Sequence, residues 1–212
     1  MYTGIVQGKF EVVRIDRKPG LHTLHIALPE TLKDGLEKGA SVGVDGVCLT
    51  VAGIQQEAVV FDVMMETLRL TTLGALTEGS FVNVERSAKA GAEIGGHPIS
   101  GHVDTRAKVV SIQQPENNFV MRFSVGKEWM KYIFSKGFLA INGCSLTVVN
   151  VDKSKAEFEV WLIPETLNLT TFGSKQVGDE INIEVERQTQ IIVDTISDLL
   201  KDPEFRKEHG IR

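Results

Sequence analysis

Long apolar runs are missing from this 212-residue chain, and cysteine, tryptophan and tyrosine occur only twice each. No stretch approaches the roughly 18 consecutive apolar residues of a membrane-spanning helix, so no membrane partner is expected. Two cysteines, Cys48 and Cys144, are too few for a disulfide scaffold, and a reduced, cytoplasmic chain is the simpler expectation. Excess positive charge is missing as well. The 23 Lys and Arg are scattered among 28 Asp and Glu, for a net charge of -5, without the basic clustering of a nucleic-acid surface. The opening MYTGIVQGKF lacks the basic and long apolar regions of a secretory signal. His97 and His102 stand five apart in GGHPISGH, off the i, i+4 helical spacing and without a nearby third ligand, so no metal site is expected. The glycines around them lack the strand-to-helix setting of a phosphate loop.

What the chain does contain is a second copy of itself. TGIVQGKFEVVRI from Thr3 aligns with SGHVDTRAKVVSI from Ser100, and DGVCLTV at Asp45 to Val51 aligns with NGCSLTV at Asn142 to Val148, both at an offset of 97. ETLRLTTLG from Glu66 then matches ETLNLTTFG from Glu165, and Gly79, Asn83 and Glu85 match Gly178, Asn182 and Glu184, at an offset of 99. Two copies are too few for a solenoid but suit tandem domains of ordinary size. The expected division is 1–97, 98–190 and a tail over 191–212.

Each copy reads as strands. IVQGKFEVVRID, LHTLHIALP, SVGVDGVCLTVAGI, AVVFDVMM and FVNVER are short, rich in β-branched and aromatic residues, and broken by turns at intervals of roughly 8 to 12 residues. The expected fold class is therefore all-β with a few short helices: two tandem Greek-key β-barrels, closed so that no edge is left open. A helical insertion is expected in each copy, at TLKDGLEKG and at EWMKYIFSKG, the latter placing Trp129, Met130, Ile133 and Phe134 at helical spacing. The tail, unmatched in the first copy, carries Ile192, Ile196, Leu199 and Leu200 on one stripe of an amphipathic helix that Pro203 should end. That stripe either packs on the second barrel or joins subunits.

Where the copies disagree, chemistry is the candidate reason. Ser41 aligns with Phe138, Cys48 with Ser145, and His102 with Ile5, so three reactive side chains occur in one copy only. Such groups serve nucleophilic and proton-transfer catalysis, although a buried Cys, a turn Ser and a core His are common structural residues. The matched Thr50 and Thr147, and Thr67 and Thr166, offer paired hydroxyls that suit a flat polar heterocycle in an apolar cleft. Two such clefts imply two similar ligands.

MYTGIVQG, GASVGVDGVCLTV, GGHPISGHVD, GFLAINGCSLTV and the doubled ETLxLTT, in this order and spacing, resemble the trimeric riboflavin synthase family. The resemblance spans residue 1 to about residue 200. It implies two lumazine-binding barrels, a homotrimer held by the C-terminal helix, and no cofactor or metal. It further implies that two molecules of 6,7-dimethyl-8-ribityllumazine dismutate by four-carbon transfer to riboflavin and 5-amino-6-ribitylaminouracil. Ser41, Cys48 and His102 become the candidate catalytic residues, meeting across an interface between one subunit's first barrel and its neighbour's second. The substrate contacts it implies are Gly4, Ile5 and Val6; Cys48, Leu49 and Thr50; Asp62, Val63, Met64, Met65, Glu66 and Thr67; Gly101, His102 and Val103; Lys136; Ser145, Leu146 and Thr147; and Val160, Trp161, Leu162, Ile163, Pro164 and Glu165. Two departures stand out: Tyr2 where the family usually has Phe, and Cys144 where a small or aliphatic residue is usual. Association with a lumazine synthase is a further partner the resemblance raises. Non-catalytic lumazine- or flavin-binding antenna proteins share the fold and form the alternative, set apart here by the intact Ser41, Cys48, His102 and both LTV motifs.

Overall fold

Alternation of side chains sets the strands and their register. In Val47–Ile54, Val47, Leu49 and Val51 are buried while Cys48 and Thr50 stand on the opposite face, the period of two expected of a sheet with one face on a core. Across the described residues, 1–210 in this computed structural model, twelve such strands form two closed antiparallel barrels. The first comprises β1 (Gly8–Lys18), β2 (Leu21–Ile26), β3 (Ser41–Val44), β4 (Val47–Ile54), β5 (Val59–Met64) and β6 (Phe81–Arg86). The second repeats it with β7 (Thr105–Gln113), β8 (Phe119–Ser124), β9 (Phe138–Ile141), β10 (Cys144–Asp152), β11 (Glu157–Leu162) and β12 (Glu180–Val185). Pairing of β2 with β5, and of β8 with β11, skips a hairpin in each case, which is the Greek-key connection. Register breaks fall at Val12/Arg14 and Val51/Gly53 and again at Val109/Ser111 and Val148/Asn150, matched bulges that add the twist needed for closure.

Each barrel has its own core. Leu24, Ile26, Phe61 and Leu73 are fully buried in the first, and Met121, Phe123, Phe158 and Phe172 in the second. Each contributes roughly 1.5–3 kcal/mol relative to exposure. The expected helical insertions are smaller than the sequence suggests. TLKDGLEKG gives one turn, α1 (Glu30–Lys33), and EWMKYIFSKG gives a 3₁₀ turn at Lys127–Tyr132. Three residues per turn set Met130 and Ile133 against the core and swing Phe134 out to 44% exposure. The ETLxLTT motif, by contrast, forms short helices in both copies, α2 (Met65–Leu70) and α3 (Pro164–Leu169).

The barrels meet about a pseudo-two-fold axis. The hairpin turns at Asp45–Gly46 and Asn142–Gly143 lie back to back. Asn83 Nδ2 donates to Asn142 O (3.0 Å) while Asn182 Nδ2 donates to Asp45 O (2.9 Å). Asn83 Oδ1 accepts from Thr171 N and Asn182 Oδ1 from Thr72 N, both at 2.8 Å. One substitution breaks the symmetry: Asp45 Oδ1 accepts from Asn83 N where Asn142 Oδ1 accepts from Asn182 N. Complete burial pushes the Asp45 carboxyl up to about 6.

The tail helix α4 (Arg187–Lys201) starts at Glu186, whose carboxylate accepts from Gln188 N and Thr189 N. The helix ends at Lys201, just before Pro203 as expected, and Pro203 then opens a separate turn, α5 (Pro203–Glu208), because proline suits a first helical position. Residues 211 and 212 of the expected tail lie outside the described residues. Val193 packs on the second core, and Asp194 accepts from Tyr132 Oη (2.7 Å) and Lys131 Nζ (2.7 Å). This attachment turns the apolar stripe away from the barrel. Ile192, Ile196, Leu199 and Leu200 are 58, 51, 39 and 46% exposed, so packing on the second barrel is the expectation that fails.

Candidate active site

Before each barrel begins, its leader segment crosses to the other one. Thr3 to Ile5 precede β1 but lie on β10, where Ser145 N donates to Gly4 O (2.9 Å). Ser100 to His102 precede β7 but lie on β4, where Cys48 N donates to Gly101 O (2.8 Å). A Tyr2–Ile99 bridge ties the leaders together. Both contacts need glycine: Gly4 and Gly101 have φ of +78° and +82°, and a Cβ would come within 2.5 Å of Ser145 and 2.6 Å of Cys48. Two buried carboxylates hold the leaders down. Glu85 accepts from Thr3 N (2.8 Å), Thr3 Oγ1 (2.9 Å) and Gly4 N (3.0 Å); Glu184 accepts from Ser100 N (2.8 Å), Ser100 Oγ (2.7 Å) and Gly101 N (2.9 Å). Burial raises the Glu85 carboxyl above the usual range.

These crossings assemble two equivalent faces. On the first barrel, Ser41 pairs with Thr50 across β3 and β4, Cys48 lies one alternation away, and Gly101, His102 and Val103 lie beside it. Asp62, Val63 and Met64 on β5 and Met65, Glu66 and Thr67 on α2 continue the rim. Thr23 Oγ1 donates to Asp62 Oδ1 (2.7 Å), and Glu66 pairs with Arg69, which holds its carboxyl below the usual range. On the second barrel, Phe138 pairs with Thr147, Gly4, Ile5 and Val6 lie by Ser145, and Val160 to Glu165 form the rim through β11 and α3. Lys136 lies in the turn before β9 in a left-handed conformation, φ +66°, and its N–H donates to Val148 O.

The two kinds of candidate contact differ in what they can offer. Leu49, Val63, Leu146, Val160 and Leu162 are buried in the barrel cores, so only their main-chain groups can reach a ligand. Met64, Met65, Trp161 and Ile163 are 67, 66, 48 and 64% exposed, large apolar side chains that form open faces.

The structure also places the Cys48 strand and the His102 segment together within one chain. The meeting of Cys48 with His102 across a subunit interface, expected from the resemblance, is thus corrected for that pair by the crossing of the leader. His102 itself is exposed. Tyr2, 3% exposed, donates from Oη to Cys48 Sγ (3.2 Å), and burial raises its phenol so that it stays protonated. At the matching place in the second barrel, His97 Nδ1 lies 2.6 Å from Ser145 Oγ and the ring stacks 5.5 Å from Phe138. Burial lowers His97, keeping the ring neutral near pH 7. Cys144 is buried and unpaired, its thiol pushed up to about 12 by desolvation, which makes it a core residue. Sequence reasoning weighs His97 only as a metal ligand and gives no anchoring role to Glu85 and Glu184. A signal for the latter exists: matched acids in VNVER and INIEVER on the strand face opposite the core residues Val82, Val84, Ile181 and Ile183.

The fold is a duplicated Greek-key barrel with two equivalent faces, and the model of the lumazine binding domain matches residues 3–87 and 100–186, which makes the chain a tandem lumazine-binding-domain protein. Riboflavin synthase of Escherichia coli K12 is 51% identical over 201 residues, covering 94% of this chain and 93% of its own. That of Buchnera aphidicola subsp. Schizaphis graminum is 46% identical over 202 residues, covering 95% and 96%. The chain belongs to the riboflavin synthase family. Among solved structures, LumP complexed with riboflavin superposes with a TM-score of 0.81 at 25% identity, covering 88% of this chain and 100% of that one. LumP complexed with 6,7-dimethyl-8-(1'-D-ribityl) lumazine gives 0.79 at 25%, covering 87% and 99%.

Proposed function

We propose that this chain turns over two molecules of 6,7-dimethyl-8-ribityllumazine, one bound at each barrel face, transferring four carbons from one to the other. The products are riboflavin and 5-amino-6-ribitylaminouracil. The observation that carries the reading is the pair of matched faces, each a leader glycine bonded to the strand bearing the LTV motif, with Ser41, Cys48 and His102 on the first only. Two equivalent faces suit two copies of one substrate, and the differences between them suit opposite roles for donor and acceptor. Holding both rings in reacting geometry can remove roughly 7–11 kcal/mol of barrier that a bimolecular encounter would carry. The 7-methyl proton is acidic because its anion delocalises into the ring, and His102 and Ser41 are the candidates to exchange that proton. Cys48 contacts the second ring or activates the nucleophile added to it.

The working unit is a homotrimer whose sites are completed between subunits. Support comes from the open apolar rims, Met64 and Met65 on one barrel and Trp161 and Ile163 on the other, together with the outward stripe of α4. A neighbour's second barrel on the first barrel's face would cover both rims and exclude water. The proposed location is cytoplasmic, and no helix among the described residues is long and apolar enough to cross a membrane. No surface is assigned to a lumazine synthase.

The 51% identity to an enzyme over nearly the full chain favours turnover over an antenna role. Calorimetric titration with riboflavin tests the two-face reading. Two bound molecules per chain are expected, and saturation at one would overturn it.

A further inference from the structure

We infer that Arg187 is a positioning residue that clamps the main chain of His102 through its ion pair with Asp104. The inference rests on the reading of His102 as a proton-transfer group. Arg187 Nη2 donates to His102 O (2.6 Å) and Nη1 to Asp104 Oδ1 (2.7 Å), with Gln190 Oε1 also within 2.6 Å of Nη1. Asp104 Oδ2 accepts from Val185 N (2.8 Å), so the carboxylate is itself fixed to β12. A planar guanidinium held on one branch by a fixed carboxylate can aim the other branch in only a narrow range of directions.

Comparison of the two copies isolates this contact from the rest of the anchor. Thr3–Glu85, Gly4–Glu85 and Gly4–Ser145 in the first leader have full counterparts in Ser100–Glu184, Gly101–Glu184 and Gly101–Cys48 in the second. The amide bond from residue 5 to Thr3 Oγ1 (3.4 Å) recurs as His102 N to Ser100 Oγ (3.1 Å). Gln7, equivalent to Asp104, likewise accepts from the β6 main chain, at Arg86 N (2.7 Å). The carbonyl contact does not recur. Arg187 aligns with Ala88, and among the described residues no protein group donates to Ile5 O. The clamp therefore exists only in the copy whose leader carries a histidine in place of Ile5.

Its consequence is preorganisation. His102 is held at its amide by Ser100, at its carbonyl by Arg187, and through Gly101 O by Cys48, so only its side-chain torsions remain free on an exposed face. Displacement of a proton-transfer group by about 1 Å can cost on the order of 10²-fold in rate. Arg187 is also the first residue of α4, which makes the clamp continuous with the tail helix.

The test is a double-mutant cycle on the full chain with 6,7-dimethyl-8-ribityllumazine, using Arg187→Ala, Arg187→Lys and His102→Gln. Arg187→Ala should lower kcat about 10-fold with KM changed less than about 3-fold, and Arg187→Lys should recover most of the loss by restoring a donor. On the His102→Gln background, Arg187→Ala should change kcat less than about 2-fold, since the group it positions is already gone. Equal losses on both backgrounds would reduce Arg187 to a staple between α4 and the barrel and overturn the inference. A slow His102→Gln enzyme beside an unaffected Arg187→Ala enzyme would overturn the clamp alone. Wild-type turnover in His102→Gln would overturn the reading of His102 and the clamp with it.

Discussion

Replacing Asp45 by asparagine should stabilise the chain above neutral pH and leave a signature that only the buried carboxyl can produce. Asp45 is 3% exposed at the contact between the barrels, and burial lifts it from an ordinary 3.8 to about 6. Because the folded value lies above the unfolded one, the protonated form favours folding. Its stabilisation is fully present below about pH 4 and is lost as pH rises through about 6. A shift of about two units corresponds to roughly 3 kcal/mol. An asparagine side chain in its place would not ionise, and the second copy already shows the outcome: Asn142 Oδ1 keeps the contact with Asn182 N, while its Nδ2 finds no partner among the described residues. That unpaired amide costs about 1 kcal/mol at every pH. The net expectation above pH 7 is a gain of about 2 kcal/mol, or roughly 4–8 °C in Tm for a chain of this size. Urea denaturation of both proteins from pH 4.5 to 8 cancels the other carboxylates in the difference. A stability difference that stays flat across that range would refute the buried, proton-linked carboxyl.

Cys48→Ser, Ser41→Ala and His102→Gln should each lower turnover by roughly 10²-fold while melting stays cooperative; near wild-type steady-state rates in all three would refute the catalytic assignment. Ending the chain at Gln190 removes the exposed apolar side chains Ile191, Ile192, Ile196, Leu199 and Leu200, each worth roughly 1.5–3 kcal/mol when buried, and should release monomers. Sedimentation checks this, and a folded, active trimer without α4 would remove its assembly role.

Strands, duplication and barrel closure were legible because they rest on local periodicity and on offsets between matched motifs. The leaders' crossing was not, since sequence alignment pairs Gly4 with Gly101 and says nothing of which barrel each lies on. That requires knowing that Ser145 and Cys48 are within reach of glycines at positive φ. The reactive residues Ser41, Cys48 and His102 stood out as differences between copies, and the structure gathers their segments on one barrel. Arg187 stayed hidden because its partner is a main-chain carbonyl, which leaves no trace in side-chain pattern. The α4 stripe was visible as amphipathic, but only the contact of Asp194 with Tyr132 and Lys131 decides which way it faces.

The most direct test of the central claim is incubation of the purified chain with 6,7-dimethyl-8-ribityllumazine alone, with riboflavin and residual lumazine quantified over time. The account predicts catalytic conversion without added cofactor or metal, one riboflavin and one 5-amino-6-ribitylaminouracil for every two lumazines consumed. A lumazine that binds tightly, fluoresces and is never consumed would contradict it and make the chain an antenna.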